Sequence, residues 1–138
     1  MTVDYVLDYG AFKPEKGHED DGGFDLRSPD NFIVPARGSV NIDTGVHVAI
    51  PKHHVGMLKS KSGLNTKFHI LSEGVIDCGY TGSIVACLYN HSDYEYSVYK
   101  GDKITQLVIM PIADAELREV KKLSETARGN NGFGSTGK

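Results

Sequence analysis

The sequence predicts an all-β fold, a jelly-roll-like barrel or sandwich with one short helix and a C-terminal arm. Three observations carry that expectation. Apolar residues occupy alternate positions through several short stretches, the period of a strand with one buried face. Turn signals recur roughly every eight to twelve residues, as in sandwiches and barrels. Helical periodicity is confined to two short segments. With 138 residues the chain suits a single domain with one core. We expect residues 1–126 to form it and residues 127–138 to form a glycine-rich arm.

In SVNIDTGVHVAIP, Val40, Ile42, Val46, Val48 and Ile50 alternate with polar side chains, which reads as strand with one apolar face. The segment SIVACLYN is apolar on both faces, with Ile84, Ala86 and Leu88 on one and Val85, Cys87 and Tyr89 on the other. Such a strand needs cover from a second sheet or a second subunit. YEYSVYKGD and KITQLVIMPI read as two further strands separated by a Lys-Gly-Asp turn. After Ser60, SGLNTKF reads as a short helix capped by Ser62. AELREVKKL places Leu117, Val120 and Leu123 at a spacing of three, which fits a helix or an irregular strand equally.

Hydrophobic residues make up 39% and charged residues 24% of the chain, which excludes an intrinsically disordered protein. No apolar run approaches the roughly 18 residues of a membrane-spanning helix. The N-terminal MTVDYVLDYG is acidic where a secretory signal needs a basic start, so a cytoplasmic location is expected. Cys78 and Cys87 lack a CxxC pattern and sit in apolar sequence, and are expected to be reduced core thiols. A net charge of −3 argues against stable nucleic-acid binding or attachment to an anionic membrane. An anionic ligand must therefore be small and held by local groups.

Four segments are richer in glycine, hydroxyls and charge than their surroundings. In DDGGFDLRS, Asp25 projects opposite to both neighbours if extended. Its carboxylate is either simply solvated or an oxygen partner of hydrated Mg²⁺, which keeps several waters and takes few protein carboxylates. In GMLKSKSGL, Ser62 and Gly63 open the helix, flanked by Lys59 and Lys61, serving either as an ordinary cap or as an anion site in which Lys59 shares the task with Lys61. In EGVIDCGYTG, Asp77 is either a turn-former or a base held close to a water. Gly74, Gly79 and Gly82 permit tight hairpin geometry there. The terminal RGNNGFGSTGK cannot pack a core, yet it carries Arg128, Phe133, Ser135 and Thr136. It is either a frayed end or a strip that orders over a ligand.

In order and spacing, DDGGFDLRS, PKHHVGMLKSKSGL, EGVIDCGYTG, YKGDKITQLVI and RGNNGFGSTG resemble the five motifs of the trimeric dUTPases, over about residues 20–137. The resemblance implies hydrolysis of dUTP to dUMP and pyrophosphate, with Mg²⁺, in active sites shared between the subunits of a homotrimer. The family's activity limits uracil incorporation into DNA and supplies dUMP for thymidylate synthesis. By motif, Asp77 is the base that activates the water attacking the α-phosphorus. Lys61, Ser62 and Gly63 contact the phosphate chain, and Gln106 holds phosphate or water. Asp25 binds Mg²⁺ through water, with Asp21 a weaker candidate. Gly74, Val75 and Ile76 belong to the hairpin whose backbone pairs with uracil, and Tyr80 packs under the deoxyribose. Arg128, Gly134, Ser135 and Thr136 grip the terminal phosphates, and Phe133 covers the base.

This chain departs from the family pattern twice. Lys61 stands where most members have arginine, replacing a bidentate fork with a point charge. The stretch HILSE before GVID lacks an asparagine that many members use near the base. Two other readings compete. A dCTP deaminase, which shares the fold, carries a glutamate where this chain has Cys87, so deamination is disfavoured. A nucleotide-sensing binding protein needs no turnover, but an intact Asp77 and a full tail favour hydrolysis.

Overall fold

In the computed structural model, which describes residues 1–137, ten strands and one short helix form an antiparallel β structure. The strands are β1 (Tyr5–Leu7), β2 (Gly23–Arg27), β3 (Phe32–Val34), β4 (Ser39–Asp43), β5 (Val46–Val48), β6 (His54–Lys59), β7 (Ile70–Ile76), β8 (Val85–Asn90), β9 (Tyr96–Val98) and β10 (Lys103–Pro111), with α1 (Ser62–Phe68) between β6 and β7. A curled six-stranded sheet runs in the order β2-β10-β6-β7-β8-β4, and two-stranded ladders β1-β5 and β3-β9 complete the architecture. The expected all-β, jelly-roll-like class is correct, including its single helix.

Alternation places the core. Val46, Val48 and Ile50 pack with Leu26, Leu58, Ile76, Ile84 and Leu107 in one cluster. A second contains Ile42, Ile70, Ala86, Leu88, Val98 and Ile104. The stretch from Val40 to Ile50 is not one strand, however. It breaks at Thr44, whose hydroxyl and amide both donate to the Ile84 carbonyl, and restarts as β5 in a different ladder. Likewise the Lys-Gly-Asp turn separates β9 from β10 without making a hairpin. β9 pairs with β3, whereas β10 lies between β2 and β6.

On β8 and the residue just before it, Ile84, Ala86 and Leu88 point into the core as expected, while Val85 and Tyr89 are exposed and Cys87 is half-buried. The second apolar face is thus uncovered within one chain. The two thiols are not core residues: Cys87 lies on that outer face and Cys78 is exposed in the β7–β8 loop. Residues 114–120 and 122–126 form neither helix nor strand, and Leu117, Val120 and Leu123 are exposed. No helix among the described residues is long and apolar enough to cross a membrane.

Candidate active site

The first group of predicted residues lies where β2, β10 and the end of β6 meet. Cross-strand register sets Asp25 opposite Gln106, Gln106 opposite Lys59, and Lys59 opposite Glu73. Directly opposed residues share a sheet face, so one polar row crosses four strands. Gly23 makes room in it: a Cβ there would meet Gln106 Oε1 at 2.5 Å. The Gln106 amide donates to the Ser60 carbonyl at 3.0 Å, fixing the strand end that leads into Lys61 and Ser62.

Asp25 is only 4% exposed and is not a solvated carboxylate. Its Oδ1 accepts from Lys61 Nζ, and its Oδ2 is 2.8 Å from Lys103 Nζ. Burial alone would raise the Asp25 carboxyl, but Lys103 and Lys61 outweigh burial and hold it below the ordinary carboxylate range. A buried carboxylate flanked by two ammonium groups leaves a local excess of one positive charge, which suits a polyanion. Lys103 was missed from the sequence, although it lies inside the YKGDKITQLVI motif. Lys59 is engaged elsewhere. It makes a two-oxygen contact with Glu73 at 2.9 and 3.0 Å.

The helix cap falls one residue earlier than expected. Lys61 is the N-cap, with extended backbone and no side-chain cap, and Ser62 is the first helical residue. A cap must be non-helical for its oxygen to turn back on the first-turn amides. The Ser62 side chain is thereby left uncommitted to capping, and it is exposed together with Gly63. Asp21, also exposed, accepts a local bond from the His18 amide at 2.9 Å.

The second group sits on the β7–β8 connection. Gly74, Val75 and Ile76 finish β7, and Asp77 is exposed at the start of the loop, accepting the Tyr80 amide on its backbone carbonyl at 3.1 Å. Tyr80 is half-exposed, its hydroxyl donating to the Ser83 carbonyl at 2.9 Å. Its ring lies over Gly82, where any Cβ would collide with it.

These two groups are far apart in one chain. Register puts Ile76 opposite Gly56 and Glu73 opposite Lys59, so Asp77 leaves the sheet where β6 begins and Lys61 lies beyond where β6 ends. At roughly 3.4 Å per residue, the run from Gly56 to Lys61 is on the order of 17 Å. The third group, Arg128 to Thr136, touches neither. Arg128 Nε donates to the Asn131 carbonyl at 2.9 Å, the Ser135 amide to Gly132 at 3.1 Å, and Phe133 is fully exposed. Lys138 lies outside the described residues.

The sequence profile of the dUTPase family matches residues 11–137. The chain belongs to the dUTPase family. It is 39% identical over 128 residues to a deoxyuridine 5'-triphosphate nucleotidohydrolase of Paramecium bursaria Chlorella virus 1, covering 92% of this chain and 91% of the relative. Among solved structures it resembles the dUTPase of Staphylococcus bacteriophage 80alpha with dUPNHPP, at a TM-score of 0.91 and 31% identity over 99% of this chain and 98% of that one. A mutant dUTPase of the S. aureus phage phi11, described as revealing the coordination of a structural Mg(II) ion, aligns at a TM-score of 0.81 and 30% identity, over 88% of this chain and 98% of that one. Within this dUTPase-family chain, no group of three or more histidine, cysteine or carboxylate side chains is arranged to hold a metal among the described residues. Asp25 is the buried carboxylate of the cationic cluster with Lys61 and Lys103.

Proposed function

We propose that the chain hydrolyses dUTP to dUMP and pyrophosphate, in sites that each combine residues from separate copies of a homotrimer. The observation that supports the reading is the separation of two groups of motif residues within one chain. The cationic cluster around Lys61 lies at one end of β6 and the Asp77 loop at the other, on the order of 17 Å apart. A base and a phosphate grip that act on one triphosphate must be within a few ångströms of the reacting atoms. Only a second copy can bring an Asp77 to this Lys61. The uncovered apolar face of Val85, Cys87 and Tyr89 supports association.

In this reading Asp77, exposed at the start of its loop, takes the proton of the water that attacks the α-phosphorus. Lys61, Ser62, Gly63 and Gln106 hold the phosphates from one copy. Gly74, Val75 and Ile76 present backbone to the uracil, and Tyr80 walls off the position of a 2′-hydroxyl. Such an apolar wall rejects the hydroxyl by only about 10²-fold, so the base must be read by hydrogen bonds as well. Arg128, Gly134, Ser135 and Thr136 close on the terminal phosphates, with Phe133 over the base. Closing this arm costs conformational entropy, so it closes on a complete nucleotide and makes turnover conditional on the right substrate.

Mg²⁺ fits this donor set in one way. Asp25 offers a single carboxylate already neutralised by two ammonium groups, which is a poor seat for an isolated cation. Asp25 would hold a hydrated ion through its water shell, with Lys61 beside it on the phosphates. Bound there, Mg²⁺ supplies neutralisation of phosphate charge. The reading includes a cytoplasmic site of action, where the unpaired Cys78 and Cys87 stay reduced. It also includes the role of limiting uracil in DNA and supplying dUMP. Pyrophosphate release from dUTP, with dCTP and UTP alongside, tests it. Release from dUTP alone is expected, and comparable release from all three, or from none, refutes it.

A further inference from the structure

The loop that carries Asp77 and Tyr80 meets the β4–β5 region near its C-terminal end, where Ser83 Oγ donates to Asp43 and His47 reaches Thr81. Between residues 77 and 82, and among the described residues, the Tyr80 hydroxyl bonds locally to the Ser83 carbonyl, and the hydrogen bond to a distant segment runs from His47 Nδ1 to the Thr81 carbonyl, at 2.8 Å. The same ring meets Asp8 with its other nitrogen, Nε2 to Oδ1 at 3.1 Å. His47 lies on β5 opposite Val6 of β1. Asp8, just past β1, is fixed in turn by its amide, which donates to the Gly45 carbonyl at 2.8 Å. The ring side chain is 28% exposed and wedged between the two segments.

Both partners of this ring are acceptors. A peptide carbonyl and an ionised carboxylate cannot donate, so a ring serving both must carry a proton on each nitrogen. A neutral ring keeps one N–H and turns a lone pair toward the other acceptor. We propose that the His47 imidazolium is a positioning residue for dUTP binding, holding the Asp77–Tyr80 loop to the N-terminal segment through Thr81 and Asp8. The inference rests on the reading of that loop as the nucleoside-facing part of the site.

The carboxylates facing the ring are Asp8 and Asp43, and Asp4 lines the same cleft. The Thr81 carbonyl first, and then Asp8, raise the ring's pKa above the ordinary histidine value. The sign follows: the clamp is complete below about pH 6.5 and is lost as pH rises through the raised value. Loss frees the loop that binds the nucleoside, so it acts on KM more than on kcat. With the ring partly exposed, the change is about threefold to tenfold.

The test uses the full-length protein and dUTP with Mg²⁺. KM for dUTP is measured from about pH 6 to about pH 9 for wild type and His47→Gln, whose amide donates to Thr81 without titrating. Titrations of the nucleotide itself are common to both and cancel in the ratio. The expected result is a wild-type KM that rises about threefold to tenfold relative to the variant as pH increases, with little change in the kcat ratio. In parallel, the His47 ring protons are followed by NMR, and Asp8→Asn is expected to lower their titration midpoint. A KM ratio flat across the range, or a midpoint unmoved by Asp8→Asn, overturns the proposal. Asp77→Asn separates this from the loop reading. If that variant turns over dUTP normally, the loop reading fails, and His47 falls with it. If it is inactive while the KM ratio is flat, the His47 proposal alone fails.

Discussion

Replacing Lys61 by alanine separates two jobs that one ammonium group performs. In the free chain Lys61 and Lys103 share Asp25, one on each oxygen. Stripping a buried carboxylate of every partner costs about 3–5 kcal/mol. Here Lys103 remains at 2.8 Å, so the loss is closer to that of one charge-assisted hydrogen bond, about 1.5 kcal/mol. For a chain of this size that lowers Tm by about 3–6 °C. Catalysis is hit harder. With a phosphate contact of about 1.5–3 kcal/mol gone, kcat/KM for dUTP falls by roughly 10-fold to 150-fold. Lys59 cannot fill in, because it is held by Glu73. Lys61→Arg is expected to keep or modestly raise activity, since guanidinium can span two acceptors. Thermal melts and steady-state dUTP hydrolysis on the same preparations check both halves. An unchanged kcat/KM in the alanine variant reduces Lys61 to a counter-ion for Asp25. A fall in Tm beyond about 10 °C shows that Lys103 does not hold the carboxylate by itself.

Asp77→Asn keeps the loop's shape but removes the base, and kcat is expected to fall by at least about 10²-fold with dUTP binding nearly intact; single-turnover kinetics and a binding isotherm check this. Deleting residues 128–138 leaves the folded oligomer, because among the described residues that segment makes only local bonds, yet nearly abolishes turnover, as sedimentation and a pyrophosphate assay will register. The Asp43 carboxyl accepts from Ser83 Oγ and the Gly45 amide, in that order of weight, and lies below its ordinary value. Its stabilisation is therefore present above about pH 4 and lost as pH falls through the depressed value. The Tm gap between wild type and Asp43→Asn should narrow in acid, and a gap that widens there contradicts the assignment.

Local patterns were legible and distant partnerships were not. Alternation named Ile42, Val46, Val48 and Ile50 as core because the strand period is a property of neighbours. It could not show that Thr44 bends the chain into another ladder, since the Ile84 carbonyl that captures Thr44 lies forty residues on. The same limit hid Asp25. One carboxylate beside apolar residues looks solvated until Lys61 and Lys103 are folded onto it. Ser62 carries the best capping chemistry in its segment, yet the chain turns helical one residue too soon for it to cap. Leu117, Val120 and Leu123 fitted helix and strand equally, and with nothing to pack against in one chain they form neither. Cys87 looked like core because its neighbours do. Whether the second face of a doubly apolar strand is buried depends on a partner that one chain does not contain.

The division of the site between copies is tested most directly by mixing two inactive proteins. The Asp77→Asn chain keeps its phosphate cluster and arm, and the chain lacking residues 128–138 keeps Asp77. They are unfolded together, refolded, and assayed for pyrophosphate release from dUTP beside each parent treated alone. If the Asp77 and the arm that serve one site come from different copies, mixed oligomers contain sites with an intact Asp77 and an intact arm, and activity appears that neither parent has. A mixture as inactive as its parents, with mixed oligomers demonstrated by mass, contradicts the account.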